Sequence, residues 1–218
     1  MIDTNIINNF HTLYYEGRAN TTWKSTNWLG VPIQKCPLDL WIYQEIIFEV
    51  KPDLIIETGT LYGGSAYFLS HMLDLMGHGK IVTIDIDYRP NRPQHNRLTY
   101  LTGSSTSKDV EVQIDNMILN THKEKGSVPS ILVILDSDHS KGHVLNEMKL
   151  YQRYVQVGSY LIVEDSNING NPVYSNFGPG PMEAINDFLR LTDEFIIDRT
   201  KEKFMLTFNP NGYLKRIV

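Results

Sequence analysis

The run from Asp53 to Ser65, Asp-Leu-Ile-Ile-Glu-Thr-Gly-Thr-Leu-Tyr-Gly-Gly-Ser, constrains this chain more than any other stretch. Leu54, Ile55 and Ile56 form a short apolar run suited to a strand buried on both faces. Glu57 ends that run, and Gly59, Gly63 and Gly64 follow at a spacing that permits a tight turn. Ser65 then opens a helical pattern in which Ala66, Leu69, Met72, Leu73 and Met76 fall on or near one face. Strand, glycine turn and helix start predict a nucleotide-type pocket at the carboxyl edge of a sheet. The spacing is not the G-x-G-x-x-G of a dinucleotide site, and no Gly-Lys-Ser/Thr phosphate loop occurs in the chain. A glutamate facing the pocket would repel a pyrophosphate and attract an ammonium. S-adenosylmethionine (SAM), with its ammonium, carboxylate and ribose, therefore suits the turn better than a dinucleotide. Glycines that serve packing alone would give the same local pattern.

The remaining chain alternates strands and helices. Residues 1 to about 35 read as a short helix and an extended arm bearing Phe10, Tyr14, Tyr15, Trp23 and Trp28. These aromatic residues suit surface packing, a substrate lid or contacts in a homo-oligomer equally well. Pro37 to Val50 is helical, with proline at the start where its missing N–H costs little. Ile81–Asp85, Leu98–Leu101, Ile131–Leu135 and Tyr160–Val163 are further strands. Helices are expected at Lys108–Leu119, 142–156 and Pro181–Leu191. His122–Ser130 is expected to be a loop. Phe195–Ile197 and Phe204–Phe208 read as a closing antiparallel pair joined by the Asp198–Lys203 turn. The alternation predicts an α/β domain over residues 36–218, with the arm of residues 1–35 as its lid or flank. The sheet is expected to have seven mostly parallel strands, with helices on both faces.

Four core strands end in acids: Glu57, Asp85, Asp136 and the pair Glu164-Asp165. Parallel strands bring their carboxyl ends to one edge, so these groups share one crevice. Such a concentration of carboxylates is costly unless cations compensate it. Glu57 is expected to take an ammonium. Asp85 takes ribose hydroxyls, with Asp87 in reserve. Asp136, Glu164 and Asp165 are hard oxygen ligands that suit Mg²⁺, with Asp138 as a substitute for Asp136. A metal there would orient a substrate hydroxyl and lower its pKa. His139 is then a candidate general base, although a solvated or helix-capping histidine explains it as well. Ser104 and Ser105 could meet an adenine edge, though turn chemistry selects the same residue types. The long Asn-, Gly- and Pro-rich stretch from Ser166 to Pro179 is expected to cover an acceptor, with Asn167, Asn169 and Tyr174 as contacts.

Composition narrows the partners. The 218 residues carry a net charge of −5 and a pI near 5.8. They show no basic stripe of the kind nucleic acid requires. No apolar run approaches the roughly 20 residues of a membrane span. The single cysteine, Cys36, has no internal disulfide partner, and no signal peptide is recognisable. A cytoplasmic protein acting on a small molecule is the expectation.

Several motifs carry a resemblance. Asp53–Ser65, Leu135–His139, the run Glu164-Asp-Ser-Asn-Ile-Asn-Gly-Asn-Pro-Val and Phe177-Gly-Pro-Gly-Pro-Met-Glu-Ala resemble the cephalosporin hydroxylase / rhamnosyl O-methyltransferase family. With Pro37-Leu-Asp-Leu-Trp, the likeness covers most of the chain after about residue 23. It implies a Rossmann-like, SAM-dependent, Mg²⁺-assisted O-methyltransferase of the catechol type, acting on the hydroxyl of a small acceptor such as a sugar or secondary metabolite. The implied cofactor contacts are Glu57, Gly59, Ser65 and Asp85; Tyr62 and Gly63 on the first turn, and Ser104 and Ser105 after the third strand, are further candidates. The implied metal ligands are Asp136, Glu164 and Asp165. Catechol-type enzymes place a lysine base three residues after the first metal acid, and here that position is His139. Two other readings remain open: a non-catalytic SAM- or nucleotide-binding module, and an iron-dependent hydroxylase using His139, His143 and Asp136.

Overall fold

The computed structural model describes residues 4–17 and 22–218. The parts of the arm at residues 1–3 and 18–21 lie outside the described residues. Apolar runs become strands buried on both sides, β3 (Leu54–Thr58), β4 (Lys80–Asp85), β6 (Ile131–Leu135) and β7 (Tyr160–Val163), while β5 (Leu98–Thr102) is a partly exposed edge strand. These five are parallel to their neighbours, and two antiparallel strands, β8 (Phe195–Ile197) and β9 (Tyr213–Arg216), complete a seven-stranded sheet. Its order is β5-β4-β3-β6-β7-β9-β8. The chain turns outward in opposite directions from β3 and β6, so a crevice opens above their carboxyl ends, where open α/β sheets bind ligands.

Side-chain alternation divides the core. Leu54, Ile56, Val133 and Leu135 pack beneath α4 (Lys108–Lys125), α5 (Lys141–Tyr151) and α6 (Pro181–Phe188). Ile55, Leu132 and Ile134 pack against α2 (Pro37–Val50) and α3 (Gly64–Met76) on the other face. The Rossmann-like α/β architecture read from the sequence is thus the observed one. No described helix is long and apolar enough to cross a membrane.

Several local expectations change. Phe204–Phe208 is not the closing strand; β9 lies at Tyr213–Arg216. Met205 has φ +67°, and the Phe208 amide donates to a buried Asp39 oxygen at 2.8 Å, so this stretch is a clamp rather than a strand. Helix α4 runs to Lys125 instead of stopping at Leu119, and ends on Gly126 in the left-handed region. Strand β3 continues through Glu57 to Thr58, which puts Glu57 inside the sheet rather than at its end. The arm is more ordered than extended. It consists of α1 (Thr4–Glu16) and a small hairpin of β1 (Asn27–Trp28) and β2 (Val31–Pro32).

The hairpin lies across the start of α3 because residue 64 has no side chain. A Cβ on Gly64 would come within 2.2 Å of the Pro32 carbonyl oxygen and 2.7 Å of Ile33 Cα. Both neighbours are backbone, so neither can turn aside. Gly64→Ala is therefore expected to lower stability by about 2 kcal/mol and to push the hairpin off α3. Denaturant unfolding, together with the fluorescence of Trp28 packed at 4.9 Å from Phe68, would check both effects.

Candidate active site

The crevice is formed where β3 and β6 end side by side. Gly59 follows β3 with φ +87°, and a Cβ there would fall 1.8 Å from the Asp136 carbonyl oxygen. This close crossing, fixed by the Asp136 amide donating to the Thr58 carbonyl at 3.0 Å, makes glycine obligatory and brings the two turns together. A cavity of about 630 Å³ opens above them. Nine of the first-choice cofactor, metal and base residues line it, Gly59, Tyr62, Ser65, Asp85, Ser104, Ser105, Asp136, His139 and Asp165, as do Asp87 and Asp138. Gly63 instead sits beneath, against Tyr100 and Pro93.

Glu57 is fully buried below the turn. Its Oε2 accepts from the Thr83 hydroxyl at 2.6 Å, and Ser65 also donates to the carboxylate. Oε1 has no partner. Burial pushes the Glu57 carboxyl up to about 7, against the pull of Lys35. An orphaned, buried carboxylate oxygen under a glycine turn fits an incoming ammonium.

Asp85, at the end of β4, is braced on the neighbouring turn. Its Oδ2 accepts from the Leu61 amide at 2.7 Å and from Arg92 Nη2 at 2.9 Å, and its Oδ1 accepts from the Asp87 amide at 2.9 Å. Arg92 Nε donates back to the Leu61 carbonyl at 2.9 Å, closing a triangle that joins the β3 and β4 turns. Asp87 therefore contributes its backbone to Asp85, although it also lines the cavity.

The third group lies at the ends of β6 and β7. Asp136, His139 and Asp165 offer ligand atoms that all lie within 4.8 Å of one another, an arrangement able to hold a metal ion. His139 Nε2 is 3.2 Å from Asp165 Oδ2. Asp165 has φ +53°, held by its amide donating to the buried Asn209 Oδ1 at 3.1 Å. Glu164 points the other way: Oε1 accepts from the Tyr43 hydroxyl at 2.6 Å and Oε2 from Lys35 Nζ at 2.5 Å. Lys35 also donates to Asp136 Oδ2. Burial by itself would lower the Lys35 ammonium, but Asp136 and Glu164 outweigh it and hold the ammonium well above its usual range. Burial pushes all three carboxyls up. For Asp136 and Glu164 the ammonium of Lys35 opposes that rise, and for Asp165 it is chiefly His139 that does so.

His143 does not join this group. It faces Glu147 Oε1 at 3.3 Å and the Ser105 hydroxyl at 3.2 Å, leaving one histidine beside the carboxylates among the described residues. Asp138 caps its own turn through the Ser140 amide at 2.7 Å.

The other end of the cavity has walls from two separate segments. Tyr15 and Trp23 come from the arm, and Ile168, Tyr174 and Phe177 from the 166–179 loop. Of the three loop contacts expected from sequence, Tyr174 alone lines the cavity. Asn167 is buried against His11 at 3.0 Å, and Asn169 binds Glu183 at 3.1 Å and the Gly178 amide at 3.1 Å, so both shape the loop itself.

The family described as Rhamnosyl O-methyltransferase/CmcI matches residues 20–217. This chain belongs to that family. A protein named rhamnosyl O-methyltransferase from Mycobacterium tuberculosis (strain ATCC 25618 / H37Rv) is 40% identical, covering 95% of this chain and 83% of its own. Another of that name from Mycobacterium leprae (strain TN) is 38% identical, covering 97% of this chain and 90% of its own. Among solved structures, CmcI with Mg and SAM gives a TM-score of 0.65 at 20% identity, over 91% of this chain and 79% of that one. An O-methyltransferase from Bacillus cereus with SAH gives 0.53 at 15%, over 90% and 83%. At those identities the structural likeness establishes the fold.

Within this site the sequence reading missed three side chains: Lys35, Tyr43 and Arg92. Each lies outside the strand-end motifs and reaches them only through the fold. The excess of carboxylates at one edge was the available signal, because it calls for a cation without saying which.

The raised Glu57 carboxyl has a consequence for stability. The fold favours the neutral acid, so the burial cost is absent below its ordinary value of 4.5 and grows as pH rises through about 7. Glu57→Gln should therefore stabilise the ligand-free protein, by up to about 3 kcal/mol at pH 8 and by much less at pH 5. Thermal unfolding at the two pH values measures the difference. An equal gain at both would show that Glu57 is already ionised in the free protein.

Proposed function

We propose that this protein is a SAM-dependent O-methyltransferase that uses Mg²⁺ to methylate a hydroxyl of a sugar-bearing acceptor. The observation that carries this reading is the placement of Asp136, His139 and Asp165 on the wall of one cavity with Asp85 and the Gly59–Ser65 turn. The names of the relatives, at 40% and 38% identity over nearly the whole chain, support a sugar hydroxyl as the acceptor.

In this reading Glu57 Oε1 receives the cofactor's ammonium, and the amide groups at the start of α3 near Ser65 face its carboxylate. Asp85 accepts from the ribose hydroxyls. Tyr62 covers that end, and Ser104 and Ser105 border the adenine. Gly59 allows the turn to approach the ligand closely, and Gly63 serves the packing of the turn on Tyr100 and Pro93. Asp136 and Asp165 hold the ion, with Glu164 as the third carboxylate that the family resemblance implies. When bound, Mg²⁺ would lower the pKa of the acceptor hydroxyl and orient it toward the methyl group. His139 takes the hydroxyl proton, and Asp165 Oδ2, 3.2 Å away, stabilises the imidazolium that forms. Methyl transfer is then a displacement at the sulfonium in which alignment supplies much of the acceleration. Tyr15 and Trp23 make the arm of residues 1–35 one wall of the acceptor site, on the 36–218 domain.

The direct test is turnover of SAM with a rhamnose-bearing glycoside and Mg²⁺, alongside calorimetric titration of SAM. Asp165→Asn should abolish Mg²⁺-dependent turnover while leaving SAM affinity within about threefold. Glu57→Gln should weaken SAM binding at least about tenfold. His139→Ala should lower kcat by about 10²–10⁴. No binding of SAM by the wild-type protein would overturn the reading.

A further inference from the structure

Among the described residues, Lys35 alone touches two of the proposed metal carboxylates. It follows β2, its side chain is only 6% exposed, and its Nζ bridges Asp136 Oδ2 and Glu164 Oε2. Asp136 remains 18% exposed on the cavity side, whereas Glu164 is 4% exposed and is also gripped by Tyr43. The ammonium and a divalent ion approaching Asp136 from the cavity therefore compete for the negative charge of these carboxylates.

We propose that Lys35 is the internal counter-cation of this site and sets its affinity for divalent ions. Its ammonium neutralises Asp136 and Glu164 in the metal-free protein, and a divalent ion displaces it from both. The proposal rests on the Mg²⁺-assisted reading above. Two buried carboxylates without a cation would repel each other and favour protonation or local opening, so a metal-free enzyme needs such a substitute. A fixed positive charge on the ligands also weakens the binding of a second cation there. Lys35 is thus a positioning residue: it keeps the carboxylates in place and makes metal binding an exchange of cations instead of the filling of a bare anionic hole.

The test uses the metal-stripped full chain and MgCl₂ as the probe, with ionic strength held constant by choline chloride. Calorimetry and thermal unfolding are followed in wild type, Lys35→Met and Lys35→Arg. Lys35→Met is expected to bind Mg²⁺ about tenfold more tightly than wild type and to show the larger Mg²⁺-dependent rise in Tm, while Lys35→Arg stays near wild type. Lysine labelling of the wild-type protein by reductive methylation, read by mass spectrometry, covers the case in which Lys35→Met does not fold. Lys35 is expected to be protected without Mg²⁺ and to label several-fold faster with it. Equal or weaker Mg²⁺ binding by folded Lys35→Met overturns the proposal. If that variant does not fold, Mg²⁺-independent labelling of Lys35 overturns it instead. Failure of wild type and Lys35→Met alike to bind Mg²⁺ would overturn the metal-assisted reading as well, which separates the two failures.

Discussion

The ion cluster of Lys35, Asp136 and Glu164 is the constraint on which the rest of the site depends. Parallel strands deliver their carboxyl ends to a single edge, and in this chain those ends carry acids. Desolvating several carboxylates together is unfavourable by several kcal/mol per group unless each is matched by a positive charge or a hydrogen-bond donor. The fold meets this demand one group at a time. Asp136 and Glu164 share an ammonium, Glu164 also takes a tyrosine hydroxyl, and Asp165 faces an imidazole. Glu57 is the exception, with one oxygen left without a donor. An exception of this kind marks the place where something outside the chain completes the structure.

The same cluster ties the arm to the sheet. Lys35 belongs to the segment that carries the β1–β2 hairpin, and its carbonyl accepts from Thr26 at 3.4 Å. Immediately after it, Asp39 in α2 takes the Thr207 hydroxyl at 2.5 Å, the Phe208 amide at 2.8 Å and the Tyr213 hydroxyl at 2.9 Å. Burial nevertheless pushes the Asp39 carboxyl up to about 7, against these donors. Phe208, positioned by Asp39, then packs at 4.8 Å from Tyr15 and 5.8 Å from Trp23. The Lys35 ion pairs and Asp39 therefore both fix the arm's approach, and the aromatic wall follows from their placement.

What the sequence made legible follows from how local each signal is. Four of the five parallel strands are short, largely aliphatic runs bounded by turn residues and covered on both faces, so composition alone marks them. The strand-end acids are equally local, which is why most of the expected site residues meet in one cavity. The closing strand was not legible: Phe-Met-Leu-Thr-Phe is the more apolar run, yet a residue in the left-handed region and the donors to Asp39 bind it into a clamp. Tyr-Leu-Lys-Arg makes the strand because β7 offers it an open edge. Lys35 was hidden for a different reason. Nothing around Gln34-Lys35-Cys36 distinguishes it from a surface lysine; its role depends on a contact with residues 101 and 129 positions away.

The two ends of the cavity are also built by different means, and this bears on what can vary. The end proposed for the cofactor is made of backbone turns, pressed so closely that Gly59 and Gly64 admit no side chain. A change there alters the sheet edge itself. The end proposed for the acceptor is made of side chains from the arm and the 166–179 loop, which reach the cavity from outside the sheet. Tyr174 can be replaced without touching a strand, whereas Asn167 and Asn169 must stay to keep the loop in shape. Acceptor choice should therefore reside in Tyr15, Trp23, Tyr174 and Phe177, on segments where loops and termini tolerate change. The acids, the histidine and Lys35 belong to the part that cannot move, because each of them compensates the charge of another.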